Sequence, residues 1–541
     1  MSVLSPLDDA KRPIKAAKFQ NDATLEVHDG YMINILSFLV PIDHRTTDVE
    51  EITITVRMVI GRSETNAGRK DGVYLPSKPI AVYLVGGPGS DNPPTAQKAM
   101  NDFYLDKGFQ ILYMDYRGMG KSTILRADFL NEEKFPGSGQ DGTPTLQNLT
   151  PQQQASRLAL FRQDNIVRDL EAVRMSLCKF VHGHAEKWTL VGQSYGGWVS
   201  FSYLSLYPQS LHMVIVTGGI PPVGQTADAV YKNTYKTLIK ACDGFYNRYP
   251  HHEANVRNML DFIAKLGKDA SGNNVGIPMP GGGILTPERF LCLGRTLGTT
   301  NGDDKVDQAL EMCLADKEVG TFSQETLIKI EGWLRFEERP LYAILQEPIY
   351  TEPGMPAADW SAERIGKTLE QYWWLEQGAF HKVFSGLPEH VAYREKHFTG
   401  KRIYMSAEHI YRFHYDQYQA LKPLKSAANI LAQKTDWPLL FDAAQLAKNE
   451  VPISSLSYNR DMFIDWEHSE NTVTKGKVKN IVVDSSEDLM HTAVKDRSGQ
   501  VLPRIWSGVI QAIGEKLSRQ LTDEEGKSAE SLIALLEVEK K

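Results

Sequence analysis

Cysteine is scarce in this 541-residue chain, and long apolar runs are missing. The four cysteines, Cys178, Cys242, Cys292 and Cys313, form no CxxC pair and have no histidine nearby at metal-ligand spacing. We expect reduced, packed thiols that hold no metal. No run of about 18 apolar residues occurs, which argues against a membrane-spanning helix. The first residues lack the apolar segment of a secretory signal, so a cytoplasmic protein is expected.

An excess of positive charge is missing too. Lysine and arginine number 60 against 67 aspartates and glutamates, which gives a net charge of -7 at pH 7. Proteins that bind nucleic acid usually carry a basic patch, so nucleic acid is not an expected partner, and neither is a membrane. The apolar fraction of 42% and the charged fraction of 23% are typical of a globular protein. A chain of this length should form at least one large core.

Two kinds of strand are predicted. The apolar run Tyr31–Val40 and the alternating segment Ile52–Ile60 indicate antiparallel strands that open a sheet. Short, almost continuous apolar runs are typical of parallel strands buried on both faces. These runs are Ile80–Val85, Ile111–Asp115, Trp188–Val191 and Met213–Thr217. A helix over Asp164–Phe180, with Asp164 as its predicted N-cap, lies between two of them, and the alternation predicts an α/β fold with a mostly parallel sheet.

The alternation stops near Ile220 and resumes after Asn449. Helix-like spacing between these residues predicts a mainly helical insertion, and Val451–Tyr458 and Asn480–Val483 return to the strand pattern. We therefore predict a core formed by residues 1–219 and 450–541, with a helical cap at 220–449. Residues 135–150 are interpreted as a surface loop and the segment from residue 522 onward as a terminal helix.

One serine stands out in the stretch VGQSYGGWVS. Ser194 lies in a Gly-x-Ser-x-Gly arrangement between a predicted strand and a predicted helix. This strand-turn-helix setting is that of a nucleophile elbow, in which a sharp turn exposes the serine hydroxyl near free backbone N–H groups. The alternative is a small residue in a tight turn. We predict that Ser194 is a nucleophile.

A serine nucleophile needs a histidine base and an acid that orients it. In this architecture the acid and then the histidine follow the serine, on loops after later strands. Asp461, which follows the strand ending near Tyr458, and His491, which follows the strand at residues 480–483, fit this order. Asp465 and His468 are their competitors, but His468 precedes the last predicted strand.

The loop VGGPGSDNPP follows an early central strand, where this architecture places a second oxyanion donor. We predict an oxyanion hole formed by the backbone N–H groups of Gly87 and Tyr195. A plain Gly-Pro turn is the alternative interpretation of the loop.

Three ordered motifs, GGPG, DYRGMGKS and GQSYGG, give the chain a family resemblance. It resembles the proline iminopeptidase family of α/β-hydrolases, in its larger fungal and actinomycete-like branch. The resemblance covers most of the chain after about residue 50. It implies an α/β-hydrolase fold with an inserted helical cap and a catalytic triad of Ser194, Asp461 and His491. Val85 and Tyr116 stand where the family has histidine and glutamine.

The resemblance also implies a substrate. In the family, acidic cap residues bind the free α-ammonium of a peptide, and Glu347 in LQEPIY and Glu408 in SAEHIY are the matching residues. The implied activity is an aminopeptidase that releases one N-terminal residue, with proline preferred, from a small peptide or amino-acid amide. No metal and no other cofactor are implied, and the oligomeric state is left open.

Two other functions stay open from the sequence. An esterase or lactonase acting on small metabolites would use the same triad without needing the two glutamates. A catalytically silent protein would keep the pocket as a ligand-binding site.

Overall fold

The computed structural model describes residues 4–522, apart from 21, 47–49, 62–68, 71–72, 75–77, 126–145, 147–148, 183–185 and 272–273. Most of the loop predicted at 135–150 and the terminal helix predicted beyond residue 522 lie outside the described residues. Among the described residues, no helix combines the length and the apolarity needed to cross a bilayer.

The strands of the described residues form one large sheet and two small antiparallel pairs. Their bounds are β1 Lys18–Phe19, β2 Thr24–His28, β3 Tyr31–Pro41, β4 Glu51–Gly61, β5 Arg69–Lys70, β6 Val73–Tyr74, β7 Ile80–Leu84, β8 Gln110–Met114, β9 Trp188–Gln193, β10 Leu211–Thr217, β11 Ile277–Pro278, β12 Ile284–Leu285, β13 Ile453–Tyr458 and β14 Ile481–Ser486. The large sheet has the order β1-β3-β4-β8-β7-β9-β10-β13-β14, with β2 beside β3.

The sheet is antiparallel at one end and parallel over the rest. Strands β1 to β4 pair in antiparallel fashion, and β4 also pairs antiparallel with β8. Every neighbouring pair from β8 to β14 is parallel. Both predicted kinds of strand are therefore confirmed. All residues of β7, β8 and β9 are buried, as expected for strands covered on both faces.

The helices of the described residues have the following bounds: α1 Pro6–Ala10, α2 Lys98–Asp106, α3 Pro151–Ala159, α4 Gln163–His182, α5 Tyr195–Leu206, α6 Ala227–Arg248, α7 His252–Leu266, α8 Pro287–Phe290, α9 Gly302–Val319, α10 Gln324–Glu331, α11 Pro340–Leu345, α12 Ser361–Gly366, α13 Ala379–Phe384, α14 Val391–His397, α15 His414–Gln417, α16 Lys425–Ala432, α17 Ala443–Leu446, α18 Trp466–Thr474, α19 Ala493–Asp496 and α20 Ser498–Thr522. Helix α5 packs on β7, β9 and β10, and α20 packs on β13 and β14.

Helix α4 confirms the predicted helix but not its predicted cap. The helix begins at Gln163, so Asp164 lies inside its first turn instead of preceding it. The Asp164 carboxylate accepts a 2.8 Å hydrogen bond from Nε of Arg162, and both side chains are buried. The aspartate is therefore occupied by an ion pair, which explains why it does not cap the helix.

The chain between β10 and β13 forms helices α6 to α17, several 3₁₀ turns and, among its described residues, the one hairpin of β11 and β12. It adds no strand to the part of the large sheet that the structure describes. We call residues 220–449 the cap region. The division of the chain at residues 219 and 449 stays a prediction.

Candidate active site

Ser194 lies in the turn between β9 and α5. Its backbone has φ 55° and ψ -126°, a conformation that an L-residue adopts only when the surroundings hold it. The Ser194 N–H donates to the carbonyl of Thr217 at 3.0 Å, and the Ser194 carbonyl accepts from the N–H of Gly197 at 2.8 Å. The turn is thus fixed at both ends, and the strand-turn-helix setting predicted from the sequence is confirmed.

Glycines are required beside the serine because backbone segments cross there at close range. A Cβ on Gly196 would lie 1.9 Å from the carbonyl oxygen of Leu84, and a Cβ on Gly192 would lie 2.5 Å from the carbonyl oxygen of Gly196. Neither contact is possible for a side chain. The Gly-x-Ser-x-Gly spacing therefore lets α5 start directly against the ends of β7 and β9.

A continuous line of hydrogen bonds joins the three residues of the predicted triad. His491 Nε2 lies 2.8 Å from Ser194 Oγ, and His491 Nδ1 lies 2.6 Å from Asp461 Oδ2. A carboxylate only accepts, so Nδ1 carries the hydrogen, and in the neutral ring Nε2 is then the acceptor for the serine hydroxyl. All three side chains are buried. This is the arrangement that a serine nucleophile and its base require.

The loop after β13 holds the aspartate rigidly. Asp461 Oδ1 accepts hydrogen bonds from the N–H groups of Phe463 at 2.8 Å and Ile464 at 3.0 Å, which leaves Oδ2 for the imidazole. The Phe463 ring also packs against the His491 ring, with 4.6 Å between ring centroids. Phe463 was missed by sequence reasoning, because nothing in its local pattern signals a contact with a histidine 28 positions away.

The two competing residues are engaged elsewhere. Asp465 is the N-cap of α18 and accepts a 2.9 Å hydrogen bond from the N–H of His468. His468 Nε2 lies 3.1 Å from the carbonyl oxygen of Ala229 in the cap region. Neither side chain makes a hydrogen bond to Ser194, so the structure brings Asp461 and His491 to the serine instead.

The predicted oxyanion donors border the serine. A Cβ on Gly86 would lie 3.1 Å from Ser194 Cβ, so the loop after β7 abuts the serine, and Gly87 follows with φ 147°. Tyr195 is the first residue of α5. Within the described part of the chain, the N–H groups of Gly87 and Tyr195 have no protein acceptor. They are therefore available to a ligand oxygen.

Glu408 lies close enough to the triad to interact with it electrostatically. Burial raises the pKa of the Glu408 carboxyl and the charge of Asp461 acts in the same direction, whereas the guanidinium of Arg295 lowers it. Arg295 Nη2 lies 3.6 Å from Glu408 Oε1, and the Glu408 side chain is 14% exposed. Arg295 was also missed by sequence reasoning, because it lies in a segment without a motif.

Glu347 is more deeply buried than Glu408. Its Oε1 accepts a 3.0 Å hydrogen bond from the N–H of Ala362, at the start of α12. Burial raises the pKa of this carboxyl to about 7, although the backbone donors and the cations Arg364 and Arg412 act in the opposite direction. Both predicted glutamates act on Tyr231, where each raises the pKa of the phenol, so they lie in one neighbourhood.

Aromatic rings connect this neighbourhood to the helix that follows the serine. Trp198 on α5 packs against Tyr350 with 5.2 Å between centroids, and Tyr350 packs against Tyr231 at 5.6 Å. The hydroxyl of Tyr231 and Nε1 of Trp198 are buried and have no hydrogen-bond partner among the described residues. A ligand in this neighbourhood could therefore bond to either group.

The DYRGMGKS motif lies in buried polar networks. Arg117 forms two 2.7 Å hydrogen bonds to the carboxylate of Asp169. Asp115 pairs with Arg57 and accepts a 3.1 Å hydrogen bond from the N–H of Asn92. These contacts tie the motif to α4, to β4 and to the loop after β7. Asp115 and Arg117 have different partners, so the motif is bonded to the loop after β7 through Asp115 and to α4 through Arg117.

Comparison with known proteins identifies the family. The chain is 31% identical to the proline iminopeptidase of Aeromonas sobria over 480 residues, which is 88% of this chain and 97% of that protein. The chain belongs to the proline iminopeptidase family. A second member, the proline iminopeptidase aneH of Aspergillus aculeatus, is 29% identical over 437 residues, 81% of this chain and 86% of that protein.

A family model described as "alpha/beta hydrolase fold" matches residues 82–271. Together with the mostly parallel sheet, this match confirms the predicted α/β-hydrolase fold. Among solved structures, a proline iminopeptidase-related protein from Thermus thermophilus is similar over 91% of this chain and 99% of its own, with 14% identity and a TM-score of 0.34. Membership of the proline iminopeptidase family supports a hydrolase of the aminopeptidase type.

Proposed function

We propose that this protein is a serine aminopeptidase that releases one N-terminal residue, with proline preferred, from small peptides or amino-acid amides. The observation that carries the proposal is the unbroken line of hydrogen bonds from Asp461 through His491 to Ser194. A catalytically silent ligand-binding protein would not require these two hydrogen bonds. Glu347, Glu408 and the surrounding rings would supply the pocket for the substrate's amino end.

The geometry suggests an acyl-transfer mechanism. Ser194 Oγ attacks the carbonyl carbon of the first peptide bond while His491 Nε2 takes the hydroxyl proton. Asp461 holds the ring in the required tautomer and stabilises the imidazolium. The N–H groups of Gly87 and Tyr195 stabilise the oxyanion of the tetrahedral intermediate.

The intermediate then collapses and the acyl-enzyme is hydrolysed. His491 gives its proton to the leaving amine, which departs as the shortened peptide. Water attacks the ester on Ser194 with His491 again acting as base, and the free N-terminal amino acid is released. No step requires a metal ion, so we expect chelators to leave the hydrolytic rate unchanged.

The two glutamates give a physical reason for selecting a free amino terminus. Glu347 and Glu408 are carboxylates in a desolvated neighbourhood, and burial raises the pKa of both. A substrate ammonium would stabilise their ionised forms by charge-assisted hydrogen bonds. A blocked amino end carries no such charge and would leave the carboxylates with only their protein partners, the Ala362 N–H at Glu347 and Arg295 at Glu408.

The proposal is tested with a panel of chromogenic substrates. The panel consists of prolyl, alanyl and leucyl arylamides, an N-blocked prolyl arylamide and a short acyl ester, each assayed with the native protein and with Ser194→Ala. We expect cleavage of the free prolyl arylamide, refusal of the blocked one, and no activity from Ser194→Ala. Cleavage of the ester alone would contradict the peptidase assignment and the roles of Glu347 and Glu408. Failure of Ser194 to react with a fluorophosphonate would contradict the hydrolase mechanism itself.

A further inference from the structure

A cluster of two histidines and two carboxylates joins two helices of the cap region. His252 begins α7 and His251 precedes it, whereas Asp307 and Glu311 lie one turn apart on α9. His252 Nε2 lies 2.9 Å from Asp307 Oδ1 and 3.9 Å from Glu311 Oε1. His251 Nε2 lies 3.7 Å from the same oxygen of Glu311. One ligand atom from each of the four residues lies within 4.8 Å of all the others.

We infer that these four residues form a binding site for a zinc-like divalent cation that ties α7 to α9. Metal-ligand bonds of about 2.1 Å in a tetrahedral site put neighbouring ligand atoms about 3.4 Å apart. The measured separations of 2.9, 3.7 and 3.9 Å lie on both sides of that value. Small side-chain rotations would therefore complete the coordination.

The ligand types select the class of cation. Two imidazole nitrogens with two carboxylate oxygens suit Zn²⁺ and its first-row neighbours. Calcium and magnesium prefer sites made of oxygen alone. The site contains no group from the triad or its neighbourhood, so it is separate from the proposed hydrolytic chemistry.

The buried histidine is held in position by its neighbours. The His252 ring is fully buried and stacks on Phe245, with 5.6 Å between centroids and 6° between planes. Its Nδ1 lies 3.2 Å from the side-chain amide of Asn255. When Nε2 binds a cation, Nδ1 carries the hydrogen, and the Asn255 amide can accept it after turning its oxygen inward. Such an outer partner is usual for a metal-binding histidine.

The local charges also favour a cation. Arg248, the last residue of α6, is paired with Asp304 at 2.6 Å and with Asp303 at 3.8 Å. Arg248 is thus paired with other carboxylates, whereas Asp307 and Glu311 contact His252 and His251.

A simple hydrogen bond between His252 and Asp307 is the competing explanation, and it requires neither His251 nor Glu311. Those two side chains are each 56% exposed, so they can be replaced without disturbing the core. The test uses the full-length protein stripped with a chelator and titrated with Co²⁺, whose visible absorption reports four-coordinate binding. Zn²⁺ affinity is then measured by competition, and the melting temperature is recorded with and without Zn²⁺.

We expect the native protein to bind one Co²⁺ and to melt at a higher temperature with Zn²⁺. His251→Asn and Glu311→Gln should each weaken Zn²⁺ binding by at least the roughly 10- to 100-fold that loss of a mere outer-shell partner causes. The matched controls are His28→Asn and Glu318→Gln, which replace exposed residues outside the cluster. Equal affinity in all four variants, or no binding by the native protein, would overturn the inference. These measurements do not use hydrolysis, so they stand apart from the proposed function.

Discussion

The aspartate of the predicted triad, in the core, and the two predicted substrate-binding glutamates, in the cap region, are bonded in different ways. In the core, Asp461 accepts two backbone N–H groups on one oxygen and an imidazole on the other. In the cap region, Glu347 is buried and Glu408 is 14% exposed, and burial raises the pKa of both. A carboxylate of the first kind has its charge satisfied by the protein. One of the second kind gains most from a proton or from a cation brought by a ligand.

This difference suggests a division of labour within the proposed function. Groups that must be in place before any substrate arrives are fully hydrogen-bonded, as preorganised catalysis requires. Groups that select the substrate keep part of their bonding capacity unused. The following four substitutions or measurements test that division, beginning with the core.

Ser194→Ala should cause the largest loss. Removal of the nucleophile is expected to lower kcat on a prolyl arylamide by about 10⁴- to 10⁶-fold, because the rest of the triad cannot act without it. Ser200→Ala is the matched control, since that hydroxyl bonds to the carbonyl of Gly196 in the same helix. If Ser194→Ala kept more than a small residue of activity while Ser200→Ala matched the native protein, the nucleophile would have to be another residue.

Asp461→Asn should lower kcat by about 10⁴-fold, because an amide in place of the carboxylate favours the wrong histidine tautomer. Asp465→Asn is the control. Asparagine is as good an N-cap as aspartate, so α18 should keep its start and the enzyme its rate. Steady-state kinetics on both variants decide between the two aspartates, and a greater loss in Asp465→Asn would reverse the assignment.

Glu408→Gln tests the cap region. A hydrogen bond to a charged group contributes about 1.5–3 kcal/mol, so kcat/KM for a free prolyl arylamide should fall by about 10- to 100-fold. Hydrolysis of a neutral acyl ester should be almost unchanged. Glu337→Gln is the control, because Glu337 is a partly buried cap-region glutamate that accepts backbone N–H groups of Gln419 and Ala420. Equal losses on the amide and the ester would show that Glu408 supports the fold and not the ammonium.

The pH dependence should give the smallest effect. Burial raises the pKa of Glu347 to about 7, so this side chain is neutral below that pH and anionic above it. Binding of the ammonium should therefore strengthen as pH rises through 7. The ratio of kcat/KM for the prolyl arylamide to that for the ester removes the contribution of the triad. With a single group of that pKa, the ratio should rise roughly threefold between pH 6.5 and 7.5.

Glu347→Gln should abolish that rise, because glutamine does not titrate. A ratio that increased equally in the native protein and in this variant would assign the pH dependence to another group. The substrate amine loses part of its charge over this interval, since α-amino groups titrate near pH 7.7–8.0, and this loss reduces the expected rise in the native protein to about twofold.

Much of the fold could be predicted from local patterns. The buried strands β7, β8, β9 and β10 and the helix α4 were found to within a few residues, because burial on both faces and helical spacing leave a clear sequence signal. The N-cap residue of α4 was predicted wrongly. Asp164 has the right chemistry for a cap, but it pairs with Arg162, whose guanidinium also donates to the distant carbonyls of Pro348, Thr351 and Pro438. For the cap region the sequence predicted only helical character, and beyond the long helices α6, α7 and α9 its helices α10 to α17 are short.

The sequence by itself indicated the turn at Ser194, because Gly192 and the backbone of Gly196 approach each other within one short segment. It also determined the order of strands and helices that leads to an α/β fold. Only the tertiary structure decided which aspartate and histidine reach the serine. His491 is 297 residues from Ser194 along the chain, and their contact depends on the register and order of six parallel strands. The same reason explains why sequence reasoning missed Arg295, Phe463 and the histidine-carboxylate cluster of α7 and α9. Packing between distant segments leaves no local pattern.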